Sequence, residues 1–149
     1  MFCDDVRVEN NGKIMYIGVY KGDMIVPDTP FTWSHLNAVL KVVTPCSKPI
    51  QTLDIRVTFG GRELLALEVP EADLKSLFDS ASAMIDEKHE WIEDNDPSDL
   101  PPMSIAEAEF RLSLSPFVAE QEGVLRVIVN ADGERLRLPG LRIRAADND

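Results

Sequence analysis

The run Phe2-Cys3-Asp4-Asp5 sets a thiol beside two carboxylates, groups that could clamp a divalent cation or act as an acid/base pair if their oxygens converged. Their spacing argues against convergence. Successive side chains of a strand point to opposite faces, so Asp4 and Asp5 diverge in any strand that includes them. Their expected work is to protect a sheet edge or to pair with a nearby arginine. Asp94, Asp96 and Ser98 imitate the first ligands of a calcium loop, but Asp99 stands where the turn glycine belongs and Ile105 where the bidentate glutamate belongs. That stretch reads as an acidic surface loop. His35 and His89, the only histidines, stand at no zinc-ligand spacing from Cys3 or Cys46, and the chain has no CxxC or HxxxH. No glycine-rich phosphate loop, GxSxG elbow or HExxH occurs, and Gly60-Gly61 is better read as a hairpin turn. The sequence therefore assigns no catalytic residue, no metal ligand and no cofactor. A loop-borne site on Trp33, His35 and Cys46 is the remaining route to an enzyme or small-ligand-binding protein.

Charge carries more information than any motif. The 149 residues bear a net charge of −11, whose long-range field repels phosphate and so disfavours direct binding to nucleic acid or an anionic membrane surface. Glu68 to Asp99 holds eleven acidic and two basic residues, whereas Val124 to Ala145 holds five arginines against Asp132 and Glu134. A partner-binding reading follows, in which one or both patches dock a partner: Arg126, Arg135, Arg137, Arg142 and Arg144 grip carboxylates or phosphates, and an acidic arm including Glu93, Asp94, Asp96 and Asp99 meets a basic surface on another protein. The plainer reading is that the arginines pair internally with the acidic helix or are simply solvated.

The elements that must position these groups are mostly strands. An apolar fraction of 44% and a charged fraction of 28% suit one globular domain, residues 1–149, with a core that needs no disulfide framework. No basic-then-apolar leader and no apolar run near the roughly 18 residues of a membrane span occur, so a cytoplasmic protein with two free thiols is expected. Asn11-Gly12 predicts a two-residue hairpin turn in which Glu9 faces Ile14, Val8 faces Met15, Arg7 faces Tyr16 and Val6 faces Ile17. That register sends Val6, Val8, Met15, Ile17 and Val19 to the core. Asp132-Gly133 predicts a second hairpin pairing Asn130 with Arg135, Val129 with Leu136, Ile128 with Arg137 and Val127 with Leu138. There Val127, Val129, Leu136 and Leu138 face the core, with Leu141 and Ile143 continuing it, and the arginines share the other face. Strands are also predicted at Met24-Ile25-Val26, Leu36 to Val43, Leu53 to Phe59, Glu63 to Val69 and Ala108 to Leu114. Pro27 to Ser34 reads as a loop. Leu74, Leu77, Phe78, Ala81, Met84 and Ile85 recur at helical spacing, which predicts one amphipathic helix from about Glu71 to Lys88 within a helix-and-loop insertion at about 71–102. The expected fold is mainly β, an antiparallel immunoglobulin-like β-sandwich of about seven to nine strands with that one inserted helix.

The opening CDDVRVENNGKIMYIGVYKGDMIVP and the closing VNADGERLRLPGLRIR resemble a family of small bacterial and prophage-associated proteins known as a domain of unknown function. Family members share the Cys-Asp-Asp, Asn-Gly-Lys and Ile-Gly-Val-Tyr runs and the closing hairpin. The resemblance implies a cytosolic immunoglobulin-like β-sandwich with no assigned activity, cofactor or catalytic residue. The segment between Pro70 and Pro102 is longer than the family's usual connection. The function expected from residues and resemblance together is a non-enzymatic protein-binding module in a prophage or host-defence setting. A phage structural or assembly accessory that self-associates through a sheet edge is the second reading.

Overall fold

The computed structural model describes residues 1–80 and 105–146. In chain order these form β1 (Phe2–Cys3), β2 (Asp5–Val8), β3 (Ile14–Ile17), β4 (Asp23–Val26), β5 (Phe31–Trp33), β6 (Asn37–Pro45), β7 (Leu53–Phe59) and β8 (Arg62–Val69). A helical stretch α1 over 71–80 follows. After it come β9 (Ile105–Ser113), β10 (Phe117–Ala119), β11 (Gly123–Ala131), β12 (Glu134–Arg137) and β13 (Leu141–Ala145). The mainly β expectation holds, with thirteen strands among the described residues rather than seven to nine. Ala81, Met84, Ile85, Lys88, His89, Trp91, Glu93, Asp94, Asp96 and Asp99 lie outside the described residues.

The largest sheet runs β4-β13-β11-β7-β8, with β12 also on β11, and a smaller one runs β1-β6-β9. Period-two alternation decides what each buries. Along β7, Leu53, Ile55, Val57 and Phe59 are buried, and along β11, Leu125, Val127, Val129 and Ala131 are. These meet Ala38, Val42, Ala108 and Leu112 of the smaller sheet in one apolar cluster. Helix α1 adds Leu74 and Phe78, four residues apart on one face, to the same cluster. Leu77, expected on that stripe, is exposed.

Three expectations are corrected. First, the sheets are not purely antiparallel: β4 pairs with β13 in parallel. Sequence period reveals that a strand exists, not which distant strand it joins. Second, the Pro27 to Ser34 segment is not all loop, because Phe31–Trp33 pairs with β10. Pro27 and Pro30 both precede the strand without entering it. Third, the first hairpin is offset by one residue. Val6 opposes Tyr16, Arg7 opposes Met15 and Val8 opposes Ile14. Gly12 alone takes positive φ, 81°, its N–H bonding Glu9 O at 2.9 Å, while the Asn11 carboxamide oxygen accepts from Lys13 N at 3.0 Å. This is a three-residue turn closed by a glycine bulge, a hairpin class distinct from the two-residue turn expected from Asn-Gly. The offset puts Met15 and Ile17 on the face opposite that of Val6 and Val8, which Ile14 and Tyr16 now share. Val8, Met15 and Val19 are exposed instead of buried, and the hairpin is held by the Tyr16 hydroxyl on the Glu109 carboxylate rather than by core packing.

At the second hairpin the register is as expected through Arg135, Leu136 and Arg137. Both Asp132 and Gly133 take positive φ, 48° and 79°, as a two-residue turn of this hand requires. Leu136 nonetheless stands 40% exposed, in a strand whose four residues are all exposed. Accordingly, Leu125→Ala should destabilise by about 2–5 kcal/mol in urea unfolding, while Leu136→Ala should stay within about 0.5 kcal/mol of wild type.

Candidate functional site

The second hairpin and its neighbours carry the charges that the sequence singled out. On β11 the residues between the buried ones are Val124, Arg126, Ile128 and Asn130, so these form the outer face of the large sheet. Cross-strand register places the rest. Val124 opposes Arg142, Ile128 opposes Arg137 and Asn130 opposes Arg135, which sets all three arginines beside Arg126 on that face. Arg144, two residues beyond Arg142 on β13, shares it. All five predicted arginines are thereby brought onto one surface.

A sixth belongs with them. Arg56 of β7 opposes Ile128 and, exposed between buried Ile55 and Val57, faces away from the core. Counting charges only near the C-terminal hairpin left it out. Arg56 differs from most of the others in being neutralised, by Asp54 at 3.1 Å and Glu63 at 3.8 Å. Its guanidinium is the main cause holding the Asp54 carboxyl below the ordinary carboxylate range, with Asn130 also bonded to it. Arg144 lies 3.8 Å from Asp23. Arg126, Arg135, Arg137 and Arg142 make no ion pair among the described residues. Internal pairing with the acidic helix does not occur over α1, whose ion pair within 71–80 joins its own Lys75 and Asp79. The acidic residues Glu93, Asp94, Asp96 and Asp99 lie outside the described residues.

Exposed ion pairs are worth about 0–1 kcal/mol each, so the charged face does little to hold the fold. What it offers is chemistry. Guanidinium forks present paired N–H donors that match carboxylate oxygens, and here four such groups stand unneutralised on a rigid, hydrogen-bonded surface.

The other candidate groups are dispersed. Asp5 pairs with Arg7 at 2.8 Å, as one of the expected edge roles has it. Asp4 instead accepts from the Tyr20 hydroxyl. Burial, with the Asp4 bond second, pushes the Tyr20 phenol up to about 12. Asp4, Asp5, Trp33 and His35 do line one shallow groove, and Trp33 stacks on Phe117 with centroids 5.4 Å apart. Cys3, beside them, is fully buried, and that burial together with the Asp4 charge pushes its thiol up, the opposite of what a thiolate nucleophile needs. Cys46 follows the far end of β6. His35 precedes that strand, so the two ends stand roughly 27 Å apart at a rise of about 3.4 Å per residue, and the structure does not gather Trp33, His35 and Cys46. Among the described residues no three His, Cys, Asp or Glu side chains converge as a metal site, and no helix is long and apolar enough to cross a membrane.

No protein-family model matches the chain, and no curated protein or solved structure matches it.

The arginine register depends on the turn at Asp132. Its carboxylate accepts from the backbone N–H of Gln51 at 2.9 Å and of Thr52 at 2.8 Å, tying the hairpin to the segment before β7. Those two bonds, Thr52 first, hold its pKa below the ordinary 3.8. A carboxylate with a depressed folded value contributes stability above its unfolded pKa and loses it as pH falls through the folded one. Urea midpoints followed from pH 6 to pH 2 should therefore show a shallower acid decline in Asp132→Ala and Asp132→Asn than in wild type. At pH 6 Asp132→Asn should be the more stable of the two variants, because its amide oxygen can keep accepting both bonds.

Proposed function

We propose that this protein is an immunoglobulin-like β-sandwich acting in the cytoplasm as a non-enzymatic binding module, with the arginine-bearing outer face of the large sheet docking an acidic surface of another protein. The observation that supports this is the grouping of Arg126, Arg135, Arg137 and Arg142 without ion pairs among the described residues, in a chain whose net charge is −11. A strongly acidic protein can reach solubility without arginines on a sheet face. Concentrating them there creates a local field opposite in sign to that of the whole molecule, effective within a Debye length of about 8 Å at physiological salt. Such a surface selects partners at short range and contributes more to specificity and association rate than to fold stability. Rigid strands suit the task, because the forks are held in place before the partner arrives. The prophage or host-defence setting rests on the resemblance of the opening and closing runs to the family of unknown function.

Affinity capture at physiological salt, with wild type compared with Arg135→Glu/Arg137→Glu, tests this reading. The expected result is a partner whose capture falls at least tenfold in the charge-reversed protein and weakens steeply as salt is raised. Equal capture by both proteins would remove the arginine face from the interaction.

A further inference from the structure

Among the described residues no strand pairs with β12 on its side away from β11. β12 and β13 follow one another along the same edge of β11, separated by Leu138-Pro139-Gly140, which spans the place opposite Arg126 and Val127 with one residue more than β11 supplies. Gly140 permits the bend, since a Cβ there would lie 2.7 Å from Val124 Cγ1 and 3.1 Å from Leu125 O. On the far side of β13 lies β4, but β4 does not continue along β12. The chain arrives at Gly22 from the smaller sheet, where Tyr20 N bonds Phe2 O at 2.9 Å, so it does not run alongside β12 before entering β4. Among the described residues β12 pairs with β11 alone, and all four of its residues are exposed. Past its C-terminal end lies a cleft of about 430 Å³ between the two sheets, walled by Phe2, Val39, Leu40, Val127, Leu138 and Leu141.

We propose that the free edge of β12 receives an extended segment of an acidic partner by strand addition, with about four residues pairing and acidic side chains alternating with apolar ones. This deepens the docking reading above and rests on it. The alternation follows from the two sides of β12. Arg135 and Arg137 point to the outer face, where they meet carboxylates. Leu136 points to the inner side, 40% exposed, two residues before Leu138 at the wall of the cleft, and it is on this side that the partner's apolar groups would pack. Main-chain hydrogen bonds then supply affinity and alternate side chains supply selectivity. Charge also rules on the occupant. A second copy pairing edge to edge would bring the Arg135 and Arg137 row against its own duplicate, and like charges across a strand pair repel, so the edge selects an acidic strand over itself.

Fluorescence anisotropy with a labelled eight-residue peptide alternating Glu and Val, at physiological ionic strength, tests the proposal. Four companions accompany it: a Lys-for-Glu peptide, the peptide N-methylated on every Glu, the peptide N-methylated on every Val, and the Arg135→Glu/Arg137→Glu protein. In an added strand all the Glu N–H groups point one way and all the Val N–H groups the other. Saturable one-to-one binding is expected, weakened at least tenfold by one methylation set and tolerant of the other, absent with the Lys peptide and lost in the charge-reversed protein. Equal responses to the two methylation sets overturn strand addition while leaving the arginine face as a docking surface. Absence of saturable binding to wild type, with capture of an acidic partner still sensitive to Arg135→Glu/Arg137→Glu, overturns the edge proposal alone. A wild-type dimer dispersed by Leu136→Pro assigns the edge to a second copy and overturns it as well.

Discussion

The alternation of side chains along β11 is the constraint on which the rest depends. Leu125, Val127, Val129 and Ala131 must face the core because together they provide the middle of the apolar cluster, and their burial is worth about 1.5–3 kcal/mol for each large side chain. Once they are inside, Arg126 is outside, and hydrogen-bonded register transmits that choice to β7, β12 and β13. The arginine face is therefore a consequence of core packing. Its side chains need no stabilising partners of their own to be held in position.

The same strand explains why the sheet is incomplete. β11 is nine residues long, and its one edge is shared end to end by β12 and β13. β4 covers only the β13 half, because the chain must leave the sheet at Gly22 to join the N-terminal segment. Leu136 is exposed although its register partner Val129 is buried. Among the described residues, an edge strand that bears two of the face's arginines and pairs only with β11 therefore leads, through Leu138, to the cleft.

Much of this was legible in the sequence where local chemistry determines geometry. Asp132-Gly133 demands positive φ at two successive positions, and the resulting register placed Arg135 and Arg137 correctly. Asn11-Gly12 carried a similar signal and misled, since the Asn11 side chain accepts from the Lys13 N–H two residues on and only Gly12 takes positive φ. One residue then decided both faces. The parallel pairing of β4 with β13 joins residues more than a hundred positions apart, for which no local pattern exists. Leu136 was misjudged because alternation predicts direction, while burial also requires something to pack against. Arg56 was readable from its strand but not from charge counted near the C-terminal hairpin.

The claim that the outer face of the large sheet is the docking surface is tested most directly by amide chemical-shift mapping during titration with a short poly-glutamate peptide at physiological salt. The account predicts that saturable shifts concentrate at Arg126, Arg135, Arg137 and Arg142, with smaller changes at Arg56 and Arg144, which already have carboxylate partners. Shifts centred on the smaller sheet, or none at peptide concentrations that saturate a weak electrostatic complex, would contradict it.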